Sequence, residues 1–272
     1  MSRPTYGRYQ VAEAPHSIND LVTWNTGTPL KEVTHDVGIG VLDQSDLEAQ
    51  GIDTSTLVAG APKVDALGSC TANANMSALA ELYNRAGHLQ AFLQWAEATA
   101  AMDTVGIEKA AIKFYAECTH QTGDPSQEWP AVDCGSSGQY VVKENQTLKL
   151  CVGANIAAAG QALVALLQDG GVLMGSPFFY SWEQPGANGI IDGDGSLQSL
   201  QQAVHSGLAG GHETFLFGVD TLVLEVGRVV PEETILLGRN SWSETWGDAG
   251  CYRIHLSTLV NLATHCDFRQ LR

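Results

Sequence analysis

The spacing of apolar residues changes once along this chain, near Gly211, and that change limits what it can fold into. From Ser69 the spacing is helical: Met76, Leu79, Ala80 and Tyr83 fall at i, i+3, i+4 and i+7, one face of an amphipathic helix. Gly87 supplies a stop, because the left-handed residue that ends a helix is cheapest as glycine. Ala-rich helical spacing continues over residues 89–102 and 107–118, and residues 119–138, rich in Gly, Pro, Asp and Ser, read as loop. A further helix is expected over 154–167, ending at Gly170-Gly171 ahead of a strand at 172–174. After Gly211 the period drops to two and the residues become β-branched or aromatic, which predicts strands at 214–219, 221–226, 233–237 and 251–255. Ser257 is placed to cap a last helix over 258–264. Helices first and strands second describe an α+β chain whose two lobes meet in a groove.

Residues 1–60 have turn-formers and little periodicity, and are expected to form an extended arm with a short helix near 43–49. The remainder, 61–272, divides into a helical lobe at about 61–150 and a β lobe at about 170–272. No internal repeat or low-complexity linker interrupts it.

Charge narrows the partners. Thirty acidic against 14 basic side chains leave a net charge of −16 over 272 residues. Nucleic acid and anionic membranes both need a basic face, so neither is expected as a partner. No run reaches the roughly 18–20 apolar residues of a membrane span. The amino terminus lacks the apolar core of a secretory signal, so synthesis in the cytoplasm is expected. The six cysteines (70, 118, 134, 151, 251 and 266) are irregularly spaced with no CxxC pair, which argues against a zinc ribbon; disulfide pairing stays open. The Asp192-Gly193-Asp194-Gly195-Ser196 run is calcium-loop-like, but its twelfth position is Ala203 and not glutamate, so a Gly-rich turn is the better reading. Phosphate-loop, dinucleotide and HExxH signatures are absent. No cofactor and no metal are expected.

Three segments carry candidate chemistry. Cys70, in LGSCTANA, begins the strongest helix, where free N–H groups and the helix dipole favour a thiolate. The same cysteine also reads as a small buried hydrophobe on an Ala-rich helix. His212 follows Gly210 and Gly211 in GGHETFLFGVD. Asn240 opens NSWSETWGDAGCY, whose Trp242 and Trp246 also read as core anchors. Phe178, Phe179 and Tyr180 fit either a pocket wall or the core.

In the order Cys, His, Asn these segments resemble the papain-like cysteine peptidases, which typically read GGHAVxxVGYD and NSWGxxWGxxGY at the second and third. The first resembles a bacterial and phage branch with LGSCTANA in place of CGSCWAF. The Pro-rich loop at 124–138 is similar to one in members from actinobacteria and their phages. The resemblance covers roughly residues 50–265. It implies a helical lobe, with a central active-site helix, packed against a twisted antiparallel sheet or barrel lobe. It also implies a peptide or protein substrate and a thioester acyl-enzyme. Cys70 is then the nucleophile, with its own N–H in the oxyanion hole, and His212 the general base and acid. Asn240 orients the imidazole and Trp242 covers the His212–Asn240 bond. Gly211, with Gly210 and Gly247, allows close backbone approach in the cleft wall. Gly135-Ser136-Ser137-Gly138 is the candidate loop for pairing with substrate backbone, with a plain surface turn as the alternative. A phage source implies host cytoplasm or virion as location, and a cell-wall peptide target or a virion role.

The pattern breaks at Val64. Family members carry glutamine six residues before the nucleophile, where its amide joins the oxyanion hole. Valine donates nothing, and neighbouring Lys63 and Asp65 are not amides. Losing one such donor typically costs about 10²–10³ in turnover. Ser243 in place of glycine is a smaller departure. Glu213 beside the histidine is expected to point away from it, as alternate strand residues do. Two readings follow: a thiol hydrolase acting on a peptide, isopeptide or amide bond, or a papain fold kept as a binding or structural module with little or no activity.

Overall fold

The computed structural model describes residues 29–35, 51, 69–101, 103–122, 150–152 and 160–271. The expected helix near 43–49 and residues 153–159 lie outside them.

Strand β1 (Val33–Thr34) precedes three helices, α1 (Cys70–Arg85), α2 (Leu89–Trp95) and α3 (Thr104–Thr122). Then come β2 (Leu150–Val152), α4 (Gln161–Asp169), β3 (Val172–Phe179), α5 (Leu197–Ser206) and the long β4 (Leu208–Thr221). A small hairpin of β5 (Leu224–Glu225) and β6 (Arg228–Val229) leads to β7 (Ile235–Arg239), β8 (Cys251–His255), α6 (Leu256–Asn261) and β9 (Asp267–Leu271). The main sheet runs β2-β9-β3-β4-β7-β8, with β1 also on β4, and every pairing is antiparallel. This is the α+β class expected.

Alternation along the strands builds a core on each face of the sheet. Leu173, Phe215, Phe217 and Leu271 face α1, α2 and α3 and meet Met76, Leu79, Phe92 and Ile112. Met174, Leu216, Leu236, Ile254 and Phe268 face the other way and meet Leu163, Leu167 and Leu259. Helix α1 is consequently central, and every residue from Cys70 to Glu81 is buried. Four alanines in that stretch (72, 74, 78 and 80) keep the helix thin enough to sit there.

Gly87 ends α1 as expected. At φ +73° it closes a Schellman motif in which His88 N donates to Tyr83 O (2.7 Å) and Gly87 N to Asn84 O (3.0 Å). The expected helix over 89–102 instead stops at Trp95. Glu97 adopts φ +56° and Ala98 N donates to Leu93 O, the same motif without its glycine. The next helix starts at Thr104, earlier than 107, because the Asp103 carboxylate caps it by accepting Gly106 N at 3.0 Å.

The strand read at 172–174 extends to Phe179. The single strand read at 221–226 is two pieces, the end of β4 and then β5, with Val226 at φ +49° in the hairpin turn. The strand read at 233–237 is shifted to Ile235–Arg239, since Glu233 N closes a turn on Val230 O. Residues 251–255 form a strand as expected. The last helix begins at Leu256, and Ser257 does not cap it; its hydroxyl donates to Gly195 O at 2.7 Å. Helix α5, capped by Ser196 accepting from Ser199 N, and strand β9 were not foreseen.

Candidate active site

Two elements bring His212 and Asn240 together, and the helix that Cys70 opens lies beside them. Cys70 is the first residue of α1, with Ser69 at its N-cap, and is 4% exposed. His212, fully buried, lies on β4 opposite Ser176 of β3. Asn240 directly follows β7, held by its N–H donating to Gly250 O at 2.9 Å. The first two turns of α1 (Asn73, Ser77), the residue after His212 (Glu213) and Asn240 all line one small recess, so the helix that Cys70 opens abuts the His–Asn pair.

The pair itself is well defined. Asn240 Oδ1 lies 2.7 Å from His212 Nε2 and accepts Ser241 N–H at 2.8 Å. A backbone N–H only donates, so the Asn240 atom facing the ring is oxygen and His212 Nε2 carries the hydrogen. Nδ1 is then the ring nitrogen able to exchange a proton.

Aromatic rings enclose the pair. Trp242 stacks on His212 with centroids 4.8 Å apart and 25° between planes. Phe178 meets both His212 and Trp242 edge-on at 5.1 Å, and Trp182 meets Phe178 edge-on at 5.4 Å. Trp246 packs edge-on to Trp242 at 5.4 Å and donates its indole N–H to Glu183 O at 2.9 Å. The NSW turn owes its tightness to Gly247 at φ +62°, where a Cβ would lie 2.3 Å from Cys251 O.

Of the other predicted residues, Gly211 lies on β4 opposite Pro177. Val64 and Gly135, Ser136, Ser137 and Gly138 lie outside the described residues. Among the three aromatic residues read as pocket or core, Phe178 walls His212, Phe179 packs on Trp182 in the core, and Tyr180 is 42% exposed. Glu213 follows His212 on β4. It is as buried as His212, because both faces of this sheet are covered. Asn73, one of several buried polar residues on α1, sits beside Asn240 in that recess, and the helical spacing alone does not single it out.

The calcium-like run is a structural tie. Asp192 accepts His255 N at 2.9 Å and Thr258 Oγ1 at 2.6 Å, and pairs with His255 Nδ1 at 3.0 Å. That carboxylate raises the His255 pKa above its ordinary value. Burial pushes Glu81, on α1, up to about 7 despite Arg85 at 2.8 Å.

Among solved structures the chain resembles procathepsin B S9 from Trypanosoma congolense, with a TM-score of 0.50 at 12% identity over 97% of this chain and 84% of that one. The fold is papain-like. Xylellain, a cysteine protease from Xylella fastidiosa, is also similar, with a TM-score of 0.48 at 17% identity over 100% and 98% of the two chains. No family model and no curated protein matches the sequence.

Proposed function

We propose that this chain is a papain-like thiol hydrolase that cleaves a peptide or amide bond of a peptide or protein substrate through Cys70, His212 and Asn240. The observation that carries the reading is the buried His212–Asn240 hydrogen bond, roofed by Trp242, beside the helix that Cys70 opens.

The Cys70 thiolate, favoured by the helix N-terminus and an imidazolium partner, attacks the substrate carbonyl carbon. The Cys70 backbone N–H donates to the developing oxyanion. His212 passes its Nδ1 proton to the leaving nitrogen, the C–N bond breaks and a thioester remains. His212 Nδ1 then takes a proton from water, whose oxygen attacks the thioester; the C–S bond breaks, the acid leaves, and the thiolate–imidazolium pair is restored. Throughout, Asn240 Oδ1 holds the Nε2 hydrogen, so the ring keeps one orientation. Trp242 and Phe178 keep water off that bond.

The second reading, a papain fold serving as a binding or structural module, is favoured by Val64 at the place of the oxyanion glutamine. Incubation with a complex peptide mixture, read by mass spectrometry, separates the two. Cleavage that Cys70→Ala abolishes, and that Val64→Gln accelerates by up to about 10², is expected of the hydrolase. Absence of cleavage by both the native protein and Val64→Gln would leave the module reading.

A further inference from the structure

The recess behind the His212–Asn240 pair has a donor and an acceptor to spare. It is lined by Asn73 and Ser77 of α1, Glu213 and Thr214 of β4, and Asn240 and Ser241 beyond β7. Asn240 cannot rotate to relieve its amide, since its Oδ1 is committed to His212 Nε2 and Ser241 N. Its Nδ2 therefore faces away from the imidazole, and among the described residues it meets no hydrogen-bond partner. Asn73 gives its Nδ2 to Ser69 Oγ at 3.1 Å, and its Oδ1 likewise meets no partner among the described residues. Both side chains are nearly inaccessible, at 4% and 1% exposure. Buried amide groups left this way are costly. A polar recess of water size with two or more partners is where proteins hold an internal water.

We propose that one ordered water bridges Asn240 Nδ2 and Asn73 Oδ1, and that Asn73 is through it a positioning residue for the triad. The water accepts from Asn240, donates to Asn73, and has Glu213 or Ser77 as acceptor for its second hydrogen. The bridge ties the first turn of the nucleophile's helix to the group that orients the imidazole, so Cys70 and His212 keep register. Asn73 lies three residues after Cys70, on a helix buried all round, which makes that tie rigid. The positioning role rests on the triad reading above; the water does not.

Two measurements on the full chain test this. A crystal structure resolving waters is expected to show one within hydrogen-bond distance of both atoms. A dry recess, or direct contact between Asn73 and Asn240, would overturn the bridge. Cys70 alkylation by iodoacetamide is then followed from pH 4 to 9 in the native protein, Asn73→Leu and Asn73→Asp. Leucine removes the acceptor, and labelling at pH 6 is expected to slow about tenfold with a shifted pH profile. Aspartate keeps an acceptor in the same shape and is expected to stay within about threefold of native. Should the leucine variant not fold, Asn73→Ala removes the acceptor without bulk and is read in its place. A profile unchanged by loss of the acceptor would overturn the positioning role. Native labelling like that of an ordinary thiol would instead sink the triad reading and the positioning role with it, leaving the water to be judged by the crystal structure.

Discussion

At the scale of single residues the site depends on what a buried imidazole requires. His212 has no access to solvent, and its Nε2 hydrogen has one acceptor, Asn240 Oδ1 at 2.7 Å. Asn240→Ala takes that acceptor away and frees the ring to turn within its aromatic enclosure. Peptide turnover is expected to fall roughly 10²-fold, the scale of a small misplacement of a catalytic group, with folding retained by circular dichroism. Unchanged turnover would show that Asn240 orients nothing. These positions were legible in the sequence because GGH and NSW carry their neighbours with them. The burial of Glu213 was not legible. Strand alternation says only that it points opposite to His212, and nothing local says that helices cover both faces.

At the scale of elements, turns and caps decide where helices and strands stop. Gly87 could be read as a helix end because only glycine advertises a left-handed conformation. Glu97 makes the same motif with no such advertisement, so α2 reads several residues too long. Strand β3 reads too short because Gly175, Ser176 and Pro177 look like a turn. Proline is tolerated there because β9 pairs only with Leu173, Met174 and Gly175, so among the described residues no strand pairs with the far half of β3 on that edge. Strand β9 was missed because Asp267, Arg269 and Gln270 suggest a surface, yet all three are buried between β2 and β3.

Asp192 joins the loop before α5 to β8 and α6, and this clamp responds to pH. The pair raises the His255 pKa in the folded state. Its contribution is therefore fully present below the unfolded value of about 6.5 and is lost as pH rises through the folded one. Urea unfolding is expected to show stability declining from pH 6 towards pH 8.5. Asp192→Asn should flatten that decline and cost roughly 1–3 kcal/mol at pH 6. A variant that keeps the native slope would assign the pH dependence elsewhere, Glu81 being the next candidate.

For the whole molecule the organising object is the β4 strand, which carries His212 and touches both cores. Residues 208–216 pair with β3, and β1 continues along the same edge at Gly218 and Val219. The expected extended arm thus contributes a strand to the sheet in its described stretch, with His35 N donating to Phe217 O at 2.7 Å. That contact was invisible in the sequence, since a two-residue strand has no periodicity to read. It depends on Gly218, where a Cβ would sit 2.3 Å from Val33 O. Gly218→Ala is expected to push β1 off, costing about 1–3 kcal/mol and accelerating hydrogen exchange of the His35 amide. Native-like exchange at His35 would show that β1 tolerates the methyl group.

The central claim is that this papain-like fold holds an activated Cys70. The most direct measurement is alkylation of the native protein with a thiol electrophile across pH 4 to 9, read by mass spectrometry at Cys70, with His212→Ala beside it. The account expects rapid labelling well below pH 8 that disappears in His212→Ala, as an ion pair requires. Labelling that rises only near pH 8.5, the range of an ordinary thiol, and that ignores His212, would contradict it.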